Sequence, residues 1–147
     1  MAADVTLKDH KVAGPYFTNE EAVVRVEYDF DNDTGESDDS YFIMTAGQDL
    51  VITEFYIRGI TELDSAGDGA TIDVGIDGGT EDILINGVAE ATVAAGALVQ
   101  ATIVEGAPNV LPLPLKLASG GVIQLKIITE DLTSGKCEFV FRVAKFA

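Results

Sequence analysis

The chain has 147 residues, of which 47% are apolar and 23% charged, so it is large enough to enclose the core of one domain and is unlike a disordered sequence. Its 25 acidic and 9 basic residues give a formal net charge of -16, which opposes binding to nucleic acid and to anionic membranes because both would repel it. A single cysteine, Cys137, cannot form a disulfide framework or a zinc site.

The first twenty residues differ from the rest of the chain. They have no strong periodicity, and Gly14-Pro15 interrupts them. They lack the apolar run of a signal peptide, so we expect the protein to be made in the cytoplasm. We predict an N-terminal arm or first strand over residues 1–20 and a single β-sandwich domain over residues 21–147.

Alternation with a period of two begins at Val24 and predicts a half-buried strand. Its inward face would carry Val26, Tyr28 and Phe30. The strand leads into the acidic stretch YDFDNDTGESDDS, which we interpret as a strand end followed, from Asp33, by a turn with solvated carboxylates.

The same stretch begins like an EF-hand loop, with Asp29, Asp31 and Asp33 at the first three ligand positions. Thr34 then occupies the position that requires glycine, and Ser40 the position that requires a bidentate glutamate. The sequence therefore predicts no EF-hand, and leaves open weak, irregular calcium binding by these acidic turns.

Three further strands are predicted in SYFIMT, LVITEFYIRGI and ATIDVGID, because turn-forming residues separate them. Thr80 could cap a helix of at most a turn or two, with Glu81 and Asp82 in its first turn, which would end before Asn86-Gly87. The acidic stretch DSAGDGATIDVGIDGGTED does not repeat every nine residues, so turns that flank one strand explain it better than calcium-binding repeats.

Alternating leucines and prolines in VLPLPLKL suit an extended edge segment, since proline cannot donate to a ladder. GVIQLKII and KCEFVFRV alternate as two more strands, and EDLTSGK between them has a length that would close a hairpin. Seven to nine short strands predict an all-β fold, an antiparallel β-sandwich that is jelly-roll-like, with at most one or two short helical turns.

The sequence offers little for catalysis. His10 is the only histidine and lies in the predicted arm, while Cys137 alternates in phase with Phe139 and Phe141 as a core residue would. Acidic pairs are numerous enough for glycoside hydrolysis, but the chain has no tryptophan for sugar stacking. We therefore expect no enzyme, no catalytic residues, no cofactor and no metal.

Several segments resemble small structural proteins of tailed bacteriophages: VEYDFDND, LVITEFY, ATIDVGIDGG and PLKLASGGVIQLKIITEDLTSGKCEFVFRV. The resemblance spans roughly residues 22 to 146. Among these structural proteins, the chain is similar to the head-decoration, or cement, proteins. It implies a jelly-roll-like sandwich that sits as a homotrimer on the exterior of the virion capsid. The implied partners are the major capsid protein and further copies of the chain, with no nucleic acid and no membrane.

The arm supplies the candidate partner contacts, although packing on the chain's own sandwich explains the same residues equally well. These residues are Val5, Leu7, Val12, Tyr16 and Phe17. The alternative function is a β-sandwich module that binds carbohydrate, or calcium weakly, on a tail or host-facing fibre.

Overall fold

The computed structural model describes residues 3–14, 21–102 and 112–145. Ten strands, a one-turn helix α1 and a 3-10 turn at Glu90–Thr92 make up this part of the chain. The strands are β1 (Asp4–Ala13), β2 (Glu21–Asp29), β3 (Ser40–Ala46), β4 (Leu50–Ser65), β5 (Thr71–Ile76), β6 (Ile85–Ala89), β7 (Leu98–Gln100), β8 (Leu115–Leu117), β9 (Val122–Ile128) and β10 (Leu132–Lys145), and α1 is Phe30–Asp33.

The strands form two sheets, which we call sheet 1 and sheet 2. Sheet 1 has the order β1-β3-β9-β5-β6, and sheet 2 has the order β2-β10-β4-β7, with β8 also paired to β4. Strands of the first half of the chain pair antiparallel with strands of the second half in reverse order. The pairs are β2 with β10, β3 with β9, β4 with β7 and β8, and β5 with β6. A long hairpin rolled into two layers has this connectivity, which is that of a jelly roll. The predicted fold class is thus confirmed.

Strand β1 departs from the antiparallel rule. It pairs in parallel with β3, from Asp4 opposite Ser40 to Ala13 opposite Ala46, and so adds an outer strand to sheet 1. Residues 4–13 of the segment predicted as an arm or first strand are therefore part of a sheet.

The core lies between the two sheets and is built from the inward positions of each strand. The Tyr28 ring meets the Tyr41 ring edge-on at 6.2 Å, and the Phe55 ring lies 5.0 Å from that of Phe141. Each large side chain buried in this way contributes about 1.5–3 kcal/mol to folding. The first contact joins β2 of sheet 2 to β3 of sheet 1, and the second joins β4 to β10 within sheet 2, so aromatic packing holds the two layers together.

The helical turn lies elsewhere than predicted. Residues 80–84 form turns in which the amide of Ile83 donates to the carbonyl of Thr80, so the helix prediction after Thr80 was wrong. The backbone of Thr80 and Glu81 packs directly over Gly75, which holds the segment against sheet 1.

The strand predicted through Phe30 ends at Asp29 instead. The Asp29 side chain accepts a hydrogen bond from the amide of Asp31 and so starts α1.

The predicted hairpin between β9 and β10 is also wrong. The two strands lie in different sheets, so residues 129–131 cross from sheet 1 to sheet 2, and most of the supposed loop belongs to β10. A short connection can close a hairpin or cross between sheets, and loop length alone does not distinguish these two cases.

The proline-containing segment VLPLPLKL does supply an edge strand, because β8 pairs with Leu50–Ile52 of β4.

Candidate interaction surface and acidic clusters

The five predicted contact residues differ in their exposure. Val5 is partly buried against the core, Leu7 is only 2% exposed, and Val12 is 60% exposed. Tyr16 and Phe17 lie outside the described residues. In the free chain, Val12 is therefore accessible to a partner, whereas Leu7 packs in the chain's own core.

Carboxylates of the acidic stretch fix β1 to the sandwich. Asp33 Oδ1 accepts from the amide of Lys8 at 2.8 Å, and Asp39 Oδ1 accepts from the amide of Ala3 at 2.8 Å. Both aspartates are only 6% exposed, so the interpretation of these carboxylates as solvated is wrong for this pair. The amides of β1 need acceptors at this edge, and the aspartates supply them.

All three arginines of the chain lie on the outer face of sheet 2. The register places Arg142 opposite Val23 and Glu54, with Arg25 and Tyr56 in the next row and Arg58 in the row after it. We call this surface the arginine face; its members are Val23, Arg25, Glu54, Tyr56, Arg58, Leu98, Glu138, Val140 and Arg142.

Glutamates link these arginines across strands. Glu138 Oε1 lies 3.2 Å from Arg25 Nη1 and 3.4 Å from Arg58 Nε, and Glu54 Oε2 lies 3.3 Å from Arg142 Nε. The three arginine side chains remain about half exposed, at 45–55%. Exposed pairs of this kind add little stability, so their value lies in holding the arginines in a fixed array.

Apolar groups are interspersed in the arginine face. Val140 is almost buried in its centre, whereas Val23 is 50% exposed and Leu98 66% exposed. A hollow of about 590 Å³ adjoins Tyr56 and Leu98 and is also lined by Leu113. Arginine and tyrosine are enriched in protein–protein interfaces, and the exposed aliphatic side chains beside them add apolar area.

Sequence reasoning missed this face, although part of the signal was present. Each arginine occupies an outward position of an alternating strand, and that could be read from the sequence. The pairing of β10 with both β2 and β4, which places the three side chains on adjacent strands, could not.

A second acidic cluster joins the end of β4 and the loop after it to the 3-10 turn after β6. Asp64, Asp68 and Glu90 bring carboxylate oxygens within 4.8 Å of one another, and it is the one such group in residues 3–14, 21–102 and 112–145. Asp64 and Asp68 are exposed, but Glu90 is 2% exposed and its Oε2 has no hydrogen-bond partner. None of the three carboxylates forms a salt bridge with a described basic side chain.

The two side chains considered for catalysis belong to strands of different sheets. His10 is on β1, where its Nε2 is 2.8 Å from Thr45 Oγ1, and burial together with Lys11 lowers its pKa. Cys137 is completely buried, and desolvation raises the pKa of its thiol well above the usual range. A neutral, buried thiol is not available as a nucleophile.

Among the described residues, no helix has the length and apolarity required to cross a bilayer.

Comparison with known proteins finds likeness in structure and not in sequence. No protein-family model matches the chain, and no curated protein does. A chain of the "Capsid of Ralstonia phage GP4" shares the fold with a TM-score of 0.62 and 16% identity, over 92% of this chain and 91% of that chain. A chain of the "Cyanophage Pam1 capsid asymmetric unit" does so with a TM-score of 0.58 and 15% identity, over 90% of each. This jelly roll is therefore the fold of chains found in phage capsids.

Proposed function

We propose that the chain is a non-enzymatic structural protein of a tailed-phage virion, which decorates and stabilises the exterior of the capsid as a homotrimer. The observation that carries this proposal is the likeness in fold over nine tenths of both chains to two phage-capsid chains. The protein would be made in the host cytoplasm and would bind the major capsid protein on the outside of the shell.

The arginine face is the surface we assign to contact with the shell or with neighbouring copies. A molecule with a net charge of -16 repels its own copies and any acidic partner over most of its surface. The three arginines and the glutamates that link them make the arginine face the region where this repulsion is weakest. Leu98 and Val23 add apolar area that a partner would cover.

The free edge of β1 is the second proposed contact. In the described part of sheet 1, β1 is the terminal strand, and Val12 projects from it to solvent. A neighbouring chain could pair with such an edge or cover its valine. This assignment keeps Val12 as a partner contact, and it leaves Tyr16 and Phe17 as proposed contacts in the same segment.

A decoration protein acts by repetition. Each copy buries a modest area, but many copies on a lattice stabilise the shell because they bind the assembled form and not the free subunits. Such a role requires a stable sandwich and accessible surfaces, and the two-sheet fold and the exposed side chains of the arginine face support this proposal.

Binding to undecorated capsids tests this function. Purified protein would be added to shells that lack it, and bound copies would be counted by sedimentation and gel densitometry. The wild type should saturate the shell at micromolar concentration. The double variant Arg58→Glu/Arg142→Glu should bind at least about tenfold more weakly, because it reverses two charges on the arginine face.

Lys126→Glu is the matched control, since it reverses one charge on the outer face of sheet 1, where Lys126 pairs with Glu81. It should change binding by less than about twofold, the effect of a charge outside an interface. Failure of the wild type to bind shells would overturn the decoration role. Binding confined to the tail or portal would favour the alternative module instead.

A further inference from the structure

We infer that Asp64, Asp68 and Glu90 form a binding site for one Ca²⁺ ion, which we call the corner site. It lies where the end of β4 and the loop between β4 and β5 meet the 3-10 turn after β6. This inference stands apart from the capsid role, because it concerns the free protein.

The spacing of the carboxylates suits a calcium ion. Calcium binds oxygen ligands at about 2.4 Å, so two ligands of one ion lie at most about 4.8 Å apart. The three carboxylates bring one oxygen each within 4.8 Å of the others. One ion can therefore reach all three without a large rearrangement.

Glu90 provides the independent observation. Its side chain is 98% removed from solvent, yet Oε2 has no donor. A buried carboxylate without a partner is costly, and such groups are normally neutralised by a base, a proton or a metal ion. No described lysine, arginine or histidine pairs with it, and its nearest acidic neighbours would make its charge still less favourable.

The loop that carries Asp68 is held in place without the ion. Glu130 Oε1 accepts from the amides of Gly67 and Gly69 at 3.1 and 2.6 Å and from Ser65 Oγ at 2.8 Å. Asp68 itself adopts a φ of 55°, a conformation that the surrounding turn maintains. The corner site is therefore largely formed before an ion binds, which reduces the entropy lost on binding.

The ligand chemistry favours calcium over other common ions. Oxygen ligands alone disfavour zinc and copper, which prefer nitrogen and sulfur. Magnesium demands a nearly ideal octahedron at shorter distances, whereas calcium accepts six to eight ligands in an irregular arrangement. Two of the carboxylates are exposed, so water can complete the coordination of a calcium ion.

An ion at the corner site would join two loops that the sequence separates by more than twenty residues. Because it binds the folded state, calcium would raise the melting temperature as its concentration exceeds the dissociation constant. For a dissociation constant between about 10⁻⁵ and 10⁻³ M, a hundredfold excess would raise the melting temperature by about 5–10 °C.

Calorimetric titration of chelator-treated protein with CaCl₂, paired with thermal melts in calcium or in EDTA, tests the inference. We expect one ion per chain and a higher melting temperature in calcium. Glu90→Gln keeps the shape and removes the charge, and it should weaken binding at least about tenfold, as should Asp68→Asn. In EDTA, Glu90→Gln should melt no lower than the wild type, because its amide relieves the repulsion among the three acids.

Asp31→Asn is the matched control, since it removes an exposed carboxylate from the other acidic stretch and should leave calcium binding unchanged. The inference would be overturned if the wild type gave no heat and no melting shift up to about 10 mM calcium, which is well above the range expected for such sites. Calcium binding that survives both Glu90→Gln and Asp68→Asn would also overturn it. So would a melting shift with MgCl₂ equal to that with CaCl₂.

Discussion

Among single residues, Glu130 shows how a partly exposed carboxylate can organise a turn. Its carboxylate accepts hydrogen bonds from the amide of Gly69, from the Ser65 hydroxyl and from the amide of Gly67. These bonds, of which that from Gly69 has the largest effect, hold the pKa of the Glu130 carboxyl below its ordinary value of 4.5. Because the pKa is lower in the folded state, the stability that Glu130 contributes is fully present above about pH 4.5 and is lost as the pH falls through the folded pKa.

Glu130→Ala should therefore lower the melting temperature by a few degrees at pH 7, and the deficit should shrink below pH 4 as the wild-type carboxyl is protonated. Melts of both proteins in EDTA from pH 7 to pH 3 measure this difference. Asp31→Asn, which removes a carboxylate with no hydrogen bond to the described residues, should show no such trend. A deficit for Glu130→Ala that stays constant over this range would contradict the assignment.

At the scale of elements, the sandwich depends on close approach between a loop and a strand at Gly59. The amide of Gly59 donates to the carbonyl of Ala97, and its own carbonyl accepts from the amide of Gly96. A Cβ at this position would lie 1.9 Å from the carbonyl oxygen of Ala94. Loop 93–97 can therefore cover the middle of β4 only because residue 59 has no side chain.

Gly59→Ala should cost about 3 kcal/mol of unfolding free energy, because backbone atoms must move apart. Gly78→Ala is the matched control: Gly78 has a φ of 73° but no atom within 4 Å of an added Cβ. It should cost only about 1 kcal/mol, the strain of a left-handed conformation. Urea unfolding of the three proteins measures both values, and equal losses would rule out the close-approach explanation.

Strands were predictable because one side of each faces the core and the other faces water. That alternation located β2 and β10 through Val26, Tyr28, Phe139 and Phe141, all of which are completely buried. It did not reveal which strands pair. The arginine face and the corner site both depend on contacts between distant segments, so neither could be derived from spacing along the chain.

Gln124 illustrates a different limit of the pattern. Alternation placed it on the outward side of β9 with Lys126, opposite to Ile123 and Leu125, and the sheet register agrees. Yet Gln124 is 0% exposed and both ends of its amide lack partners. The turn after β5 packs over the neighbouring Gly75, and a second layer of this kind leaves no trace in strand periodicity.

At the level of the whole molecule, acidic and basic residues are unevenly distributed along the chain. Residues 59 to 115 contain nine acidic residues and no lysine or arginine, and they supply all three ligands of the corner site. The arginine face draws Arg25 and Arg142 from the two ends of the chain. An acidic body with one charge-balanced face would remain soluble as free subunits and still bind through that face.

The proposed place of the chain in the virion can be observed by cryo-electron microscopy of intact particles. We expect density for this jelly roll on the outer surface of the capsid, as three copies around a shared axis, with the arginine face or the edge of β1 against the shell or a neighbouring copy. Density for the chain in the tail, in the portal or inside the shell, or a particle that lacks it altogether, would contradict the proposed function.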